Sequence, residues 1–235
     1  MPQSVAPMLC TLTKQPIDDS AYLYEIKWDG YRIIAFAKNR KVRLDSRSAL
    51  DYSSKYPPIA AALQQIKHDV VLDGEAVVFN EEGHPDFDAL HTYNGHTTPI
   101  AYCVFDIIWL DGCDLKQLPL VERKTILQKL IKGNKVLKYS DSFDEGPALY
   151  KQMLDEDIVA KRRDSAYVEN ERGHNWLKIP TRKRQEFVIG AGRNPTNPDR
   201  FVLCCLVPIA AINLNGLAGP VAVIKKRICR EYCSS

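Results

Sequence analysis

The fold of this chain is decided by the stretch YLYEIKWDGYR, residues 22–32. Apolar and aromatic residues alternate with Glu25 and Lys27 at the two-residue period of a β-strand, and Asp29-Gly30 predicts a tight turn. Lys27 then lies near the end of a strand, with a carboxylate two residues before it and another two residues after. This setting favours a reactive amine, although a half-buried strand with a polar face has the same pattern. The K-x-D-G pattern alone occurs by chance in roughly one chain in twenty.

Length and composition describe an ordinary globular protein. The 235 residues allow one large domain, or one domain plus a small one, and a sizeable core. The net charge of +3 is too small to indicate a polyanionic partner by itself. Residues 161–184, however, contain eight Lys and Arg against three acidic residues. This segment is therefore clearly basic, and it is either a surface for a polyanionic partner or a solvated helix face or loop.

Cysteine usage and hydropathy bear on the location of the protein. The seven cysteines form no C-x-x-C pair, and residues 1–13 have no signal-peptide pattern. We therefore expect reduced thiols and a cytoplasmic protein. The uncharged run at residues 201–224 is interrupted by Pro208, Gly216, Gly219 and Pro220, so no membrane span is expected.

Other patterns predict an α+β protein. Helical spacing of apolar residues predicts helices at residues 57–66, 120–131 and 146–154. Apolar runs predict strands at residues 33–37, 41–44, 70–79, 102–109 and 176–179, and a further strand at 155–161 starts with three carboxylates and ends with a lysine.

Three polar positions within or beside these strands are candidates for function. Asp73-Gly74-Glu75 is either a turn between two strands or a buried carboxylate pair, and a buried Glu75 would need a cation, hydroxyl or metal opposite it. Arg47 follows a strand, where its guanidinium could reach a phosphate or simply face solvent. Phe105 is either a core residue or a base-stacking ring.

Six segments with these residues stand in the order and approximate spacing of the covalent nucleotidyltransferase motifs. They are residues 25–32 (EIKWDGYR), 46–47 (SR), 73–75 (DGE), 105–106 (FD), 156–161 (EDIVAK) and 176–178 (WLK). The chain resembles ATP-dependent DNA ligases, and most closely the ligase module of the bacterial end-joining type. Flanking segments PML (7–9), PDFDAL (85–90) and KRQEFVIG (183–190) strengthen this closer match. The resemblance covers about residues 7–190.

The resemblance implies both a fold and a domain division. Residues 1–185 would form an α+β, ATP-grasp-like nucleotidyltransferase (adenylation) domain, with two antiparallel sheets around a nucleotide cleft. Residues 186–235 would be the truncated or atypical remnant of a C-terminal OB-fold, because the match ends at Gly190 and the forty-five residues from Ala191 onward are fewer than that barrel needs.

The resemblance also implies a reaction and a set of site residues. Lys27 would attack the α-phosphorus of ATP, and the resulting lysyl-AMP would activate the 5′-phosphate of a nick for sealing. Lys178 would neutralise the α-phosphate. Nucleotide binding would fall to Glu25 (adenine), Phe105 (stacking), Arg32, Arg47 and Glu75 (ribose and phosphates), and Lys161.

The implied cofactors and partners follow from the same resemblance. Glu156, with Glu75 as a second candidate, would hold Mg²⁺ or Mn²⁺. The partners would be nicked double-stranded DNA and end-joining repair proteins, and we expect a monomer.

Two departures from the family pattern leave a second function open. Asp157 stands where these ligases usually have a glycine, and Pro180 where they have a second lysine. Loss of one preorganised charge commonly lowers a rate on the order of a hundredfold. The alternative function is a degenerate ligase fold that binds ATP or nicked DNA without completing ligation.

Overall fold

The structure is a computed structural model that describes residues 1–13, 17–95, 98–152, 156–181, 187–194 and 197–208. The contacts within the chain separate two compact units, Met1–Arg182 and Lys183–Ser235.

The described residues form four helices and twelve strands. The helices are α1 (Pro57–Gln64), α2 (Phe87–His91), α3 (Leu120–Ile131) and α4 (Gly146–Gln152). The strands are β1 (Leu9–Leu12), β2 (Tyr22–Ile26), β3 (Tyr31–Lys38), β4 (Lys41–Ser46), β5 (Val70–Val78), β6 (Ile100–Leu110), β7 (Cys113–Asp114), β8 (Leu137–Tyr139), β9 (Ile158–Arg162), β10 (Arg172–Ile179), β11 (Phe187–Asn194) and β12 (Asn197–Pro208). No helix among the described residues is long and apolar enough to cross a membrane.

The first unit contains two sheets, as the sequence predicts. A four-stranded sheet has the order β1-β10-β9-β2, and a second sheet has the order β4-β3-β5-β6-β7, with β8 also paired to β6. Most pairs are antiparallel, but β1–β10 and β6–β8 are parallel. The α+β prediction with two sheets is therefore confirmed, with one parallel pair added to each sheet.

Strand alternation in β3 explains how the layers stack. Ile33, Ala35 and Ala37 join the cluster that includes Ile59 of α1 and Leu127 of α3. Ile34 and Phe36 point the other way and pack with Met8 and Trp176, so this second cluster lies between the sheets. A third cluster lies on the far face of the four-stranded sheet, where Tyr24, Ile158 and Leu177 pack with Leu149 of α4.

Two of the three Asp-Gly pairs, Asp29-Gly30 and Asp73-Gly74, do not form turns. β5 runs unbroken through Asp73 and Gly74, so the buried-carboxylate interpretation holds there. The tight-turn prediction at Asp29-Gly30 is wrong, because β2 and β3 belong to different sheets and this segment crosses between them. A Cβ at Gly30 would lie 2.2 Å from the carbonyl oxygen of Ala76, so close approach to β5 accounts for this glycine.

Predicted helix ends agree closely with the structure. α3 matches residues 120–131, and α1 ends two residues before the predicted end. α4 is described to Gln152, and the rest of its predicted range lies outside the described residues.

The second unit is described only as one antiparallel ladder. β11 pairs with β12 from Phe187 opposite Pro208 to Asn194 opposite Asn197. The remainder of the predicted OB-fold remnant lies outside the described residues. The division into an adenylation domain at 1–185 and a remnant at 186–235 stays a prediction.

Candidate functional site

One face of the four-stranded sheet carries the polar groups of the site. Glu25 of β2 lies opposite Val159 of β9, which lies opposite Lys178 of β10. Lys161 lies opposite Trp176 in the same ladder. Directly opposed residues share a face of a sheet, and Trp176 packs in the cluster between the two sheets. The face therefore lines the space between the sheets, and we call it the site face.

Glu25 is held between two lysines. Its side chain is almost fully buried, at 2% exposed, and its Oε1 and Oε2 each lie 2.8 Å from an ammonium, of Lys124 and Lys161 respectively. Lys124 also donates to the carbonyl of Ser140 at 3.0 Å. A buried carboxylate needs such partners, because removing its charge from water without compensation costs several kcal/mol.

Lys161 joins this cluster to the aromatic wall of the site. Its Nζ lies 4.2 Å from the ring centroid of Phe105 and 4.4 Å from that of Trp176. Burial lowers the pKa of Lys161, and the neighbouring Glu25 opposes that shift. The ammonium therefore contacts a carboxylate and two π-faces at once.

Lys27 lies just beyond β2, where the chain leaves the sheet. Its backbone N–H donates to the carbonyl of Asp157 at 2.7 Å. The Asp157 carboxylate pairs with Nζ of Lys178 at 2.7 Å and accepts from the backbone N–H of Thr181 at 3.3 Å. Within the described part of the chain, the Lys27 ammonium makes no ion pair.

Arg32 of β3 is fixed by a buried carboxylate on β5, the neighbouring strand of the same sheet. Its Nε and Nη2 donate to the two oxygens of Asp73 at 3.0 and 2.7 Å, a bidentate pair. Tyr167 donates its hydroxyl to Asp73 at 2.7 Å, and burial raises the pKa of Tyr167 well above its usual range. The guanidinium carbon lies 5.3 Å from the Phe105 centroid. The contacts with Arg32 and Tyr167 thus explain why an acidic residue, Asp73, is buried inside an apolar strand.

Glu75 differs from the other carboxylates of the site. Burial raises the pKa of Glu75 to about 8, although Arg32 and Lys27 lower it. No ion pair joins its carboxylate to any residue that the structure describes. A carboxyl group in this state can bind a cation or accept a hydrogen bond from a hydroxyl group of a ligand.

Two predicted residues lie at the margin of the site. Arg47 is exposed in the turn after β4, where Ala49 donates its N–H to Ser46. Glu156 is partly buried, and its carbonyl accepts from the Thr181 hydroxyl at 2.9 Å. No group of three metal-binding side chains occurs among the residues described. An ion held by one or two carboxylates and ligand phosphates remains compatible with this arrangement, since Mg²⁺ commonly binds that way.

The structure brings most predicted residues together. Glu25, Phe105, Lys161 and Arg32 form one connected cluster, and Lys178 lies beside the Lys27 backbone through Asp157.

Sequence reasoning missed several buried polar partners. They are Lys124, Ser140, Tyr167 and the pair Asp106–Arg123, whose guanidinium Nε lies 2.8 Å from the carboxylate. One signal was available for Lys124, which lies four residues after Leu120 and three before Leu127, within the apolar stripe of α3.

Comparison with known proteins agrees with this geometry. The sequence profile of the family described as ATP dependent DNA ligase domain matches residues 7–179. The chain is 35% identical to the multifunctional non-homologous end joining protein LigD of Pseudomonas aeruginosa, over 86% of this chain and 25% of that protein. It is 36% identical to the SPbeta prophage-derived DNA ligase-like protein LigB of Bacillus subtilis, over 74% of this chain and 67% of LigB.

Solved structures give the same result. The mycobacterial DNA ligase D complexed with ATP and MES matches with a TM-score of 0.71 and 33% identity, over 80% of this chain and 64% of that one. The chain therefore spans about a quarter of the LigD relative and about two thirds of the ligase structure.

Proposed function

The chain belongs to the ATP-dependent DNA ligase family, and we propose that it seals nicks in DNA through a lysyl-AMP intermediate on Lys27. The observation that carries this proposal is the state of the lysines around the cleft. Lys124 and Lys161 both form ion pairs with Glu25, and Lys178 forms one with Asp157. Lys27 is left without an ion pair among the described residues, so its amine is the one available to react.

The first step is a nucleotidyl transfer to Lys27. Once its ammonium has lost a proton, Nζ attacks the α-phosphorus, a P–N bond forms, the P–O bond to the β-phosphate breaks, and pyrophosphate leaves. The adenylyl group then passes to the 5′-phosphate of the nick. The 3′-hydroxyl displaces AMP and closes the backbone.

The neighbouring side chains have distinct proposed roles in binding ATP. Phe105 is partly exposed and would stack on adenine, beside the Lys161 ammonium. Oε2 of Glu25 also accepts from the Ser140 hydroxyl at 3.5 Å, whereas the second lone pair of Oε1 can accept a hydrogen bond from the exocyclic amine of adenine. Arg32 and the exposed Arg47 would contact ribose and phosphate, and Lys178 would face the α-phosphate.

The residues present also fit a divalent cation bound with the nucleotide. Glu75 and Glu156 would be its protein ligands, with phosphate oxygens completing the set. Mg²⁺ or Mn²⁺ would supply positive charge against the phosphates. The raised pKa of Glu75 supports this assignment. Burial favours the protonated form of this carboxyl, and a bound cation would favour its ionised form instead.

Nicked duplex DNA is the proposed substrate, and end-joining repair proteins are the proposed partners. The names of the LigD relatives, which refer to non-homologous end joining, support this class of repair. We propose a monomer that acts in the cytoplasm at the nucleoid.

A non-sealing ligase fold is the second candidate function. The pair of Lys178 with Asp157 favours it, because this cation has a carboxylate partner within the protein. Pro180 also favours it, because a second lysine stands at this position in the ligases that the chain resembles.

Self-adenylation separates the two functions. We expect α-labelled ATP with Mg²⁺ to leave stable label on the protein, and Lys27→Ala to abolish it because the nucleophile is gone. Lys41→Ala, an exposed lysine on β4, is the matched control and should label normally. Sealing of a nicked duplex by the labelled protein tests the later steps. Labelling of the wild type no stronger than that of Lys27→Ala would exclude the enzyme.

A further inference from the structure

We propose that a lysine-lined groove between the C-terminal end of α3, the start of β8 and the end of α1 binds the phosphate backbone of duplex DNA. We call it the lysine groove and define it by Lys67, Lys129, Lys132 and Lys138. This inference rests on the proposed function and assigns a surface to its substrate.

The groove is formed by two adjoining cavities. One has a volume of about 590 Å³ and is lined by Lys129, Lys132 and Lys138, among others. The other has a volume of about 400 Å³ and is lined by Lys67 and Lys132. Both cavities are lined by the stretch Ile131 to Asn134, so they adjoin at this turn.

The charge of the groove is positive and unneutralised. All four lysines are exposed, and none forms an ion pair within the part of the chain that the structure describes. The sequence has no acidic residue between Glu122 and Asp141, and Asp141 is the one acidic residue lining either cavity. Unpaired lysines along a groove are the electrostatic pattern expected of a phosphate-binding surface.

The basic segment at residues 161–184 differs in this respect. Among its described cations, Lys161 pairs with Glu25, Arg162 with Asp164, Arg163 with Asp144 and Lys178 with Asp157. Arg172 donates to the carbonyl of Cys10 at 2.6 Å. A cation that already has a partner contributes less to phosphate binding, so formal charge overstates the attraction of this segment.

A helix dipole does not account for the four lysines. Lys129 and Lys132 lie at the C-terminal end of α3, where a positive charge stabilises a helix. Lys67 follows α1 by three residues, and Lys138 belongs to β8. Because three different elements bring these lysines to one groove, a shared ligand is the simpler explanation.

The groove is connected to the site. Lys138 lies over the Phe79 ring, 4.6 Å from its centroid, and Phe79 contacts Trp28, the neighbour of Lys27. At the end of β8, Ser140 accepts from the Trp28 indole at 3.0 Å and through its carbonyl from Lys124 at 3.0 Å. A DNA strand that follows the lysines would therefore arrive beside the reactive lysine.

The test measures DNA binding by the full chain. The groove variant is Lys67→Gln/Lys129→Gln/Lys132→Gln, which keeps Lys138 because that side chain packs on Phe79. The control is Arg162→Gln/Arg163→Gln, two cations with carboxylate partners in the basic segment. Affinity for a nicked duplex is measured by fluorescence anisotropy over a series of salt concentrations, with circular dichroism confirming that each variant is folded.

The groove variant should bind about tenfold to thirtyfold more weakly near 0.1 M salt, and its slope of log affinity against log salt should fall by about two to three. The control should change the affinity less than about threefold. The proposal is overturned if the groove variant keeps the wild-type affinity and slope, or if poly-glutamate displaces the duplex at equal charge concentration.

Self-adenylation separates this proposal from the proposed function, since it needs no DNA. A wild type that labels, with a groove variant that binds DNA normally, overturns the groove and leaves the ligase function standing. An unlabelled wild type whose DNA binding depends on the groove gives the opposite result.

Discussion

Glu25 and Glu75 are two carboxylates of one cleft, on different sheets, and they have opposite electrostatic surroundings. Glu25 on the four-stranded sheet accepts an ammonium at each oxygen, at 2.8 Å. Glu75 on the six-stranded sheet has no ion pair with a described residue, and burial raises its pKa to about 8.

The difference separates charges that stabilise the folded protein from charges that are available to bind a ligand. A charge that is neutralised within the protein stabilises the folded state as long as its partners stay. A buried carboxyl without such a partner is more stable in its protonated form, and its ionised form is stabilised when a cation binds beside it. The carboxylate of Glu25 therefore forms ion pairs within the protein, whereas that of Glu75 forms none with a described residue.

The largest effect should come from removing the charge of Glu25. Glu25→Gln leaves Lys124 and Lys161 buried beside each other without an anion, and we expect a loss of about 3 to 5 kcal/mol in the free energy of unfolding. Urea unfolding at pH 7 measures this loss.

The matched control for Glu25 is an exposed pair. Asp164→Asn breaks the ion pair with Arg162, whose side chain is 42% exposed, and should change stability by less than about 1 kcal/mol. Equal losses for the two variants would contradict the distinction between an internal and a surface charge.

The substitution Glu75→Gln should stabilise the protein, unlike Glu25→Gln, and the size of this effect should depend on pH. Its pKa in the folded protein is about 8, above the ordinary 4.5, so the folded state holds its proton between these values while the unfolded chain releases it. The wild type therefore loses stability from pH 5 to pH 8 relative to Glu75→Gln, which cannot ionise. We expect a relative gain of about 2 to 4 kcal/mol for the variant at pH 8.

Chemical denaturation of both proteins at pH 5 and pH 8 checks the Glu75 prediction. Four charged groups act on this carboxyl: Arg32 and Lys27 lower its pKa, and Asp73 and Asp29 raise it. Saturating ATP with Mg²⁺ should reduce the difference, because a bound cation favours the ionised form. An identical pH profile for wild type and variant would mean that Glu75 is ionised and solvated, contrary to the comparison with Glu25.

The sequence predicted the elements better than the way they connect. Apolar periodicity gave α3 to the residue and most strands of both sheets, because burial of one face imposes that period. The turn prediction at Asp29-Gly30 was wrong, because the preference of these two residues for turns suggests a hairpin there. Only the partners of β2 and β3, which are far away in the chain, decide that the segment crosses between sheets.

The candidate site divides in the same way. The motif residues are recognisable because they are close together in sequence, as Glu25 and Lys27 are. The partners that neutralise them come from distant positions, with Lys124 ninety-nine residues and Lys161 one hundred and thirty-six residues from Glu25. A single sequence does not reveal which cation meets which carboxylate, so it could not distinguish Glu25 from Glu75.

The smallest effect concerns Asp157, which combines features of both carboxylates. It pairs with Lys178, but the two side chains are 19% and 31% exposed, so a phosphate can compete for the ammonium. Asp157→Asn keeps an oxygen for the Thr181 N–H and removes the charge. We expect the free energy of unfolding to change by less than about 1 kcal/mol, and the ATP concentration for half-maximal self-adenylation to fall about threefold to tenfold.

A double-mutant cycle with Lys178→Met identifies the cause of the Asp157 effect. If Asp157 acts by occupying Lys178, the benefit of Asp157→Asn should disappear in the Lys178→Met background, where there is no ammonium to release. A benefit that persists there would mean that Asp157 repels the nucleotide directly. A rise in the ATP concentration that Asp157→Asn needs would instead mean that Asp157 orients Lys178 for the reaction. Asp157 would then resemble Glu25, whose charge is paired within the protein, rather than Glu75.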